Sequence, residues 1–307
     1  MENIVVVGSL NMDLVVRVSH MPLTGETIFG HDFMTITGGK GANQAIAAAR
    51  LGGKVTMIGR IGSDTFGEAL LNNLKKEGVD ISFMQVDKDA SSGIALITVD
   101  KSGQNSIVVV SGANMRLLPD VMEYTLEKIE QISVLLLQLE TPLECVERAA
   151  RIARNRGAKV ILNPSPVGRL PKEFLQLVDI LVPNDIESSQ ITNLPVNNAE
   201  EAEIAACHLI EMGVGAVVVT LGRQGVLIAR KDLEAIHLRG HPVEVVDTTA
   251  AGDAFIGGLG VGLSEGLTLL DAARLANAAA ALTVTRMGAQ PSLPYRKEVN
   301  KILGMEK

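Results

Sequence analysis

Short apolar runs alternate with helical patterns along most of the chain. Six runs, rich in valine, isoleucine and leucine, predict buried strands over 4–8, 55–61, 134–139, 160–163, 180–183 and 216–220. Apolar residues recur at helical spacing over 41–51, 64–77, 143–156, 185–192 and 199–213. Strand–helix alternation of this kind predicts an α/β fold, with a central, mainly parallel sheet flanked by helices on both faces.

Two segments break this alternation. Residues 14–37 and 92–110 each hold two runs with no helix between them, and the runs alternate loosely with a period of two. This pattern predicts hairpin-like antiparallel strands. We interpret the two segments as one small four-stranded β-sheet, a candidate lid or dimer surface, inserted into a single α/β domain over 1–307. The alternative is a set of extra strands at the edge of the main sheet.

The stretch VVDTTAAGDAFIGGLG (245–260) carries the first candidate chemistry. A helix beginning near Gly252 would direct free backbone N–H groups and its positive dipole end at residues 250–253. An anion held there would lie beside Asp253, and phosphoryl transfer needs both donors for the transferring group and a base. The alternative is an aspartate that only caps a helix. The glycines that follow weaken a helix, so the sequence leaves open whether ligand approach or close packing requires Gly257, Gly258 and Gly260.

Other nucleotide motifs and several function classes are excluded by the rest of the sequence. There is no G-x-x-x-x-G-K-[ST] motif, and no G-x-G-x-x-G follows the first strand. The net charge of −7 argues against nucleic acid and anionic membrane surfaces as partners. No apolar run reaches the length of a membrane span, and the first residues lack the basic region of a signal peptide. The two cysteines, Cys145 and Cys207, have no paired spacing, so we expect buried thiols in a cytoplasmic protein.

Eight short motifs resemble, in order, those of the ribokinase family of sugar kinases. They are GSLNMDLV (8–15), GGKGANQA (38–45), LLQLETP (136–142), NPSP (163–166), PNDIE (183–187), TLGRQG (220–225), DTTAAGDAF (247–255) and VTRMGAQPS (284–292). The resemblance covers nearly the whole chain. It implies a ribokinase-like fold, a homodimer formed through the β lid, and ATP-dependent phosphorylation of a pentose. The expected acceptor is D-ribose, at its 5-hydroxyl.

The resemblance also implies a sugar site. Asn11 and Asp13 follow the first strand, and amide and carboxylate groups suit sugar hydroxyls. By themselves these two residues are also typical of a turn, and a lone lysine such as Lys40 is typical of a solvated surface. The implied sugar-binding residues are Asn11, Asp13, Gly39, Lys40, Gly41, Asn43, Glu140 and Asp253.

For catalysis the resemblance implies Asp253 as the base, with Ala250, Ala251 and Gly252 as an anion hole. The implied ATP-binding residues are Asn184, Thr220, Gly222, Arg223, Gln224, Gly225, Gly252 and Asn277. Asn184 and Glu187 are implied near Mg²⁺, although Glu187 alone is equally typical of an acid in the first turn of a helix. A monovalent cation, K⁺, is implied on Asp247, Thr249, Thr283, Arg286, Gly288 and Ser292, mostly through backbone carbonyls.

Two other functions remain open from the sequence. One is a sister kinase that acts on 2-deoxyribose, another sugar or a nucleoside. A nucleoside would need a large apolar or aromatic slot, and Phe29 and Phe33 are the aromatic residues near the predicted lid. The second is a sugar-binding sensor that no longer catalyses. The retained Asp253 and its complete loop argue against this alternative.

Overall fold

The main sheet of the computed structural model, which describes residues 3–305, contains eight strands flanked by helices. The predicted domain span of 1–307 includes four terminal residues outside this range. In spatial order the strands are β14 (Ile236–Leu238), β13 (Val226–Arg230), β12 (Ala216–Thr220), β11 (Ile180–Leu181), β10 (Lys159–Leu162), β9 (Val134–Leu137), β1 (Asn3–Val7) and β4 (Lys54–Ile58). The six strands from β12 to β4 pair in parallel, so the mainly parallel sheet is confirmed.

The last two strands at one end of the sheet, β13 and β14, were not predicted, and they pair antiparallel to their neighbours. The predicted strand over 55–61 is also wrong in its second half. The observed strand β4 pairs with β1, and their last pair is Val7 with Ile58. Beyond Ile58 the chain has no strand of the main sheet to pair with, so β4 ends there. The chain passes Gly59 and forms β5 (Arg60–Gly62), which pairs with β6 (Gln85–Asp87) in a separate two-stranded sheet.

Ten α-helices surround the sheets within residues 3–305. They are α1 (Lys40–Arg50), α2 (Thr65–Lys76), α3 (Pro119–Lys128), α4 (Leu143–Asn155), α5 (Lys172–Leu175), α6 (Asp185–Thr192), α7 (Ala199–Glu211), α8 (Ala251–Ser264), α9 (Leu269–Thr283) and α10 (Arg296–Ile302). Alternate residues of β1 enter two cores: Ile4 and Val6 pack with α1 and α8, whereas Val5 and Val7 pack with α4. Alternation of this kind explains why strands covered on both faces are continuously apolar.

A second sheet contains β3 (Gly30–Gly38), β2 (Asn11–Val18), β7 (Gly93–Val99) and β8 (Asn105–Val110), in that order. Pairs β2–β3 and β7–β8 are antiparallel, as the hairpin pattern predicts, and β2 joins β7 in parallel. This small sheet is separate from the main sheet, so the alternative of extra edge strands is wrong. The whole of β8 is exposed.

The glycines of α8 lie where helices pack closely. A Cβ atom on Gly257 would lie 2.6 Å from Cβ of Ala47, and one on Gly258 would lie 2.9 Å from Cα of Ala276. The first contact is with α1 and the second with α9, the two helices that pack against α8. Close packing therefore accounts for these two glycines. A Cβ atom on Gly252, at the start of the helix, would instead have no neighbouring atom within 4 Å.

The two cysteines differ in exposure. Cys145 is buried in α4, as expected, but Cys207 is exposed, so that prediction is wrong for Cys207. The buried stripe of α7 consists of Ala202, Ala205, Ala206 and Leu209, and Cys207 lies outside it. Among the described residues, none of the helices has the length and apolar character needed to cross a membrane.

Candidate active site

Asp253 lies in the first turn of α8, and its side chain is 8% exposed. Both carboxylate oxygens accept a hydrogen bond from α1. Nδ2 of Asn43 donates to Oδ2 over 2.9 Å, and Nε2 of Gln44 donates to Oδ1 over 3.0 Å. Because α1 and α8 pack through glycine and alanine, the two amides reach the carboxylate directly.

The loop before Asp253 presents backbone donors. Ala250 adopts the left-handed conformation, with φ of 59°, at the N-terminal cap of α8. The N–H of Ala251 donates weakly to the carbonyl of Thr248, over 3.3 Å. Within residues 3–305, the N–H groups of Gly252 and Asp253 have no backbone acceptor, as expected for the first turn of a helix. These two groups and the positive end of α8 therefore favour an anion beside the carboxylate.

Asp13 on β2 is the second carboxylate of the site. Burial, and then the negative charges of Glu140 and Asp253, raise the pKa of Asp13 from 3.8 to about 7. The pKa of Asp253 is also raised, chiefly by burial, although Lys40 and the amides of Asn43 and Gln44 act in the opposite direction. Two neighbouring carboxylates are thus held in a region where their charged forms are disfavoured.

Lys40 is the cation among these carboxylates. Burial lowers its pKa, but the charges of Asp253, Glu140 and Glu187 outweigh this effect and raise it. The structure therefore contradicts a solvated surface position for this lysine, and the side chain stays protonated at neutral pH. The backbone N–H of Lys40 donates to Oε2 of Glu140 over 3.3 Å, and the same oxygen accepts from Ser9.

Asn11 and the glycines shape the same region. Oδ1 of Asn11 accepts from Nδ2 of Asn114 over 2.8 Å, which fixes its orientation. Gly39 has φ of 91°, and a Cβ atom there would lie 2.6 Å from the backbone nitrogen of Asn11. A Cβ on Gly41 would meet the backbone nitrogen of Ser9, also at 2.6 Å. Glycine is thus required at both positions to pack the start of α1 against the 8–11 segment.

Two cavities that share lining residues open at the start of α8. The smaller, of about 220 Å³, is polar and is lined by Asp253, Lys40 and Glu187, among others. The larger, of about 460 Å³, has apolar walls that include Val243, Phe255 and Val284. Four residues line both cavities, namely Asn184, Thr220, Thr248 and Gly252. Their sizes and linings suit a triphosphate in the first and a nucleobase in the second.

Most residues predicted to bind the nucleotide line the larger cavity: Asn184, Thr220, Gly222, Arg223, Gly225, Gly252 and Asn277. The side chain of Asn277 donates to the carbonyl of Arg239 over 2.9 Å, which orients it at the wall. Gln224 does not line this cavity, because its side chain turns towards the carbonyl of Asn197, 3.3 Å away.

Asn184 and Glu187 form a capping box at the start of α6. Oδ1 of Asn184 accepts from the N–H of Glu187 over 2.7 Å, and Oε2 of Glu187 accepts from the N–H of Asn184 over 3.0 Å. Glu187 is thus both a first-turn acid and part of the smaller cavity. Its Oε1 has no hydrogen-bond partner within residues 3–305, and this atom can serve a hydrated divalent cation.

The residues predicted to bind K⁺ lie on two chain segments, 247–249 and 283–292, which Asp247 joins; Thr283 is the last residue of α9. Its Oδ1 accepts from the N–H and hydroxyl of Thr249, and its Oδ2 accepts from the N–H of Gly288 over 2.8 Å. Burial raises the pKa of Asp247, but these hydrogen bonds outweigh it and lower the pKa. The side chains of three other residues predicted to bind K⁺ already form hydrogen bonds elsewhere: Thr283 with Ala279, Arg286 with Glu298, and Ser292 with Ala289. Backbone carbonyl oxygens are therefore the atoms left to coordinate a cation.

Several polar residues of the site were not predicted. Gln44 binds Asp253, Gln138 donates to Gln44 over 2.6 Å, and Asn114 holds Asn11. Gln138 could have been identified as a candidate, because it is a polar residue at the end of a buried strand. Gln44 could have been identified because it directly follows the predicted site residue Asn43 on α1. Nothing local marks Asn114, which lies more than a hundred positions from Asn11.

The chain is similar to known proteins along nearly its whole length. A family model described as pfkB family carbohydrate kinase matches residues 1–296. The chain is 43% identical to the ribokinase of Haemophilus influenzae over 302 residues, which cover 98% of each protein. It is 40% identical to the Bacillus subtilis ribokinase over 303 residues, covering 99% of this chain and all of the relative. The structure of Arabidopsis thaliana ribokinase complexed with ribose and ATP aligns with a TM-score of 0.90 and 35% identity, over 99% of each chain.

Proposed function

The chain belongs to the pfkB family of carbohydrate kinases, and on that premise we propose that it transfers the γ-phosphoryl group of ATP to the 5-hydroxyl of D-ribose. Family membership confirms the resemblance drawn from the eight motifs. ATP-dependent phosphorylation of ribose is supported by ribokinase relatives that match nearly the full chain and by the likeness to a ribokinase complexed with ribose and ATP. One structural observation carries the proposal: the buried carboxylate of Asp253 lines the smaller cavity, beside Lys40 and the start of α8.

In the proposed reaction, a carboxylate oxygen of Asp253 accepts the proton of the sugar 5-hydroxyl. The 5-oxygen of the sugar then forms a bond to the γ-phosphorus, the bond between that phosphorus and the β-γ bridging oxygen breaks, and ADP leaves. Asn43 and Gln44 keep both carboxylate oxygens oriented, and each oxygen retains a lone pair for the substrate. Asp13, Asn11 and Glu140 are the proposed partners of the other sugar hydroxyls.

Charge on the transferring group is stabilised by the chain's own donors. The N–H groups of Gly252 and Asp253 and the dipole of α8 act on the phosphoryl oxygens, and Lys40 adds a positive charge. Water must be excluded while this happens, because water is a competing acceptor. The small sheet, which carries Asp13, is the proposed lid.

The residues present fit a magnesium ion and a monovalent cation. Glu187 and Asn184 would hold hydrated Mg²⁺ beside the phosphates, and Mg²⁺ supplies charge neutralisation when bound. Backbone carbonyls of the two segments joined by Asp247, 247–249 and 283–292, would hold K⁺, which would keep the loop before Asp253 ordered. Equal turnover in K⁺ and in tetramethylammonium would remove the second part of this proposal.

The test of the function is ADP release from Mg-ATP in the presence of ribose, 2-deoxyribose, fructose or adenosine. We expect ribose to be preferred. Another preferred acceptor would keep the mechanism and reassign Asn11, Asp13 and Glu140. Ribose binding without turnover on any acceptor would indicate the sensor.

The same assay tests the base. We expect Asp253→Asn to abolish turnover while calorimetry still detects ribose binding. A variant with the wild-type rate would remove Asp253 from the role of base.

Two further features belong to this proposal. A homodimer through the small sheet is supported by exposed apolar side chains on β8, which include Ile107, Val108 and Val109. Sedimentation of Val108→Asp, compared with wild type, tests it; an unchanged mass would refute that interface. The proposed location is the cytoplasm, supported by the dependence on ATP and by two free thiols.

A further inference from the structure

A chain of hydrogen-bonded side chains leads from Asp253 to the small sheet. Asn43 donates to Asp253, and its Oδ1 accepts from Nε2 of Gln290 over 3.0 Å. Oε1 of Gln290 in turn accepts from the hydroxyl of Thr37 on β3 and from Nδ2 of Asn73 on α2, the latter over 2.7 Å. Side chains from α8, α1, the 290–292 segment, β3 and α2 are thus joined in one line of hydrogen bonds, the polar line.

The carboxylate at one end sets the direction of every bond in this line. An ionised carboxylate only accepts, so Asn43 must present its NH₂ group to Asp253 and its carbonyl to Gln290. Gln290 must then present its NH₂ group to Asn43, which leaves its carbonyl for the donors Thr37 and Asn73. All four observed bonds obey this order.

Gln290 begins a short 3-10 helix over 290–292, which is anchored against α1. Its side chain is 3% exposed, and its backbone carbonyl accepts from Nη1 of Arg50 over 2.8 Å. Arg50 lies on α1, as Asn43 does, and it also pairs with Glu77 over 2.8 Å. Both the backbone and the side chain of Gln290 are therefore fixed relative to the helix that carries Asn43.

The far end of the line lies beside the proposed sugar site. Thr37 pairs with Met12 across the β2–β3 ladder, next to Asp13. A shift of the small sheet when a sugar binds would therefore act on Thr37 and, through Gln290 and Asn43, on the carboxylate.

We propose that Gln290 is a positioning residue for phosphoryl transfer, which holds the amide of Asn43 against Asp253 and links that pair to strand β3 of the small sheet. The inference rests on the proposed role of Asp253 as the base. Gln290 acts through Asn43, and within residues 3–305 it forms no hydrogen bond with Asp253.

The test uses the full-length protein with ATP and ribose. Gln290→Met keeps the length of the side chain but removes both polar atoms. We expect kcat to fall by about tenfold or more, because a misoriented reacting group loses rate steeply. The KM for ATP should stay within about twofold of wild type, because Gln290 lines neither cavity.

The pH profile separates positioning from a structural role. The hydrogen bond from Asn43 is one of the effects that lower the pKa of Asp253. When Asn43 is no longer held, the acid limb of the kcat profile should move to higher pH. A variant that is merely less stable would lose active protein at every pH without moving this limb.

Two further variants and a control sharpen the test. Gln290→Glu keeps the size of the side chain but replaces the NH₂ donor by an acceptor. We therefore expect at least as large a loss of kcat as in Gln290→Met. If Gln290→Met does not fold, Gln290→Glu takes its place in the test. Thr37→Val removes only the link to β3 and should cost less. Ser264→Ala removes a buried hydroxyl at the far end of α8, whose partner is the carbonyl of Val261, and should leave kcat and the profile unchanged.

The outcomes distinguish this inference from the function it rests on. A wild-type protein without turnover on ribose would overturn the proposed function itself. An active wild type whose Gln290→Met variant keeps both kcat and the acid limb would overturn the positioning role alone. A lowered kcat with an unmoved acid limb and a matching loss of thermal stability would also overturn it, since that is the behaviour of a structural residue.

Discussion

Asp13 is the proposed sugar-binding carboxylate, and its burial should lower the stability of the protein without its substrates. Burial, Glu140 and Asp253 raise its pKa from 3.8 to about 7, which means that its charged form is disfavoured in the folded state. Asparagine has nearly the same size and no charge. We therefore expect Asp13→Asn to be more stable than wild type at neutral and alkaline pH, and to bind ribose more weakly.

The magnitude follows from proton linkage. Between pH 3.8 and about 7, the folded chain binds a proton at Asp13 that the unfolded chain has already released. The stability contributed by this group therefore falls as pH rises through that window, by at most about 1.4 kcal/mol per pH unit. Because Asp13 is partly exposed, screening reduces this slope. From about pH 5 to about pH 7, we expect the advantage of Asp13→Asn to grow by about 2 kcal/mol and then to level off.

The assay is urea unfolding of both proteins at several pH values, without nucleotide or sugar. The matched control is Asp247→Asn, because hydrogen bonds from Thr249 and Gly288 lower the pKa of Asp247. Its ionised form stabilises the fold above the unfolded pKa, and that stability is lost as pH falls through the folded pKa. Asp247→Asn should therefore be less stable than wild type at neutral pH, the opposite sign to Asp13→Asn.

A difference between Asp13→Asn and wild type that stays constant with pH would refute the reasoning. It would mean that Asp13 has the same proton affinity in the folded and unfolded chains. An advantage that shrinks as pH rises would refute it more directly, since it would require a lowered pKa.

Three other perturbations have defined outcomes. Lys40→Met removes a positive charge that lowers the pKa of Asp253, so the acid limb of kcat against pH should move upward and kcat should fall; unchanged steady-state kinetics would contradict this. Ala250→Gly relieves a left-handed φ of 59° and should stabilise the fold by about 0.5–1 kcal/mol in urea unfolding, whereas a loss of stability would show that the backbone is not strained there. Gly258→Val places carbon atoms against the backbone of Ala276, with Cβ at 2.9 Å from its Cα, and should lower stability by about 2–3 kcal/mol; a wild-type melting temperature would show that α9 can shift freely.

The local pattern of the sequence was sufficient for the six parallel strands of the main sheet and for the start of α8. Buried parallel strands are continuously apolar, and the helices between them have a clear period, so both features can be recognised without long-range information. Strand β14 was missed because it has only three residues, two of them exposed. Strand β13 was missed although it has five residues, four of them buried. The end of β4 at Ile58 depended on where its neighbour β1 stops, which the sequence of β4 does not contain.

The candidate site divides in the same way. Asp253 and its small-residue loop were predicted, because a helix start and a carboxylate are adjacent in sequence. Its partners Asn43 and Gln44 lie 210 and 209 positions away, and the link from Asn43 to Gln290 spans 247 positions. Gly252 and Gly258 are the same residue type six positions apart, yet one faces a cavity and the other faces the backbone of α9. Hydrogen bonds, close contacts and the raised pKa of Asp13 depend on which atoms surround a group in space, and only the tertiary structure brings those atoms together.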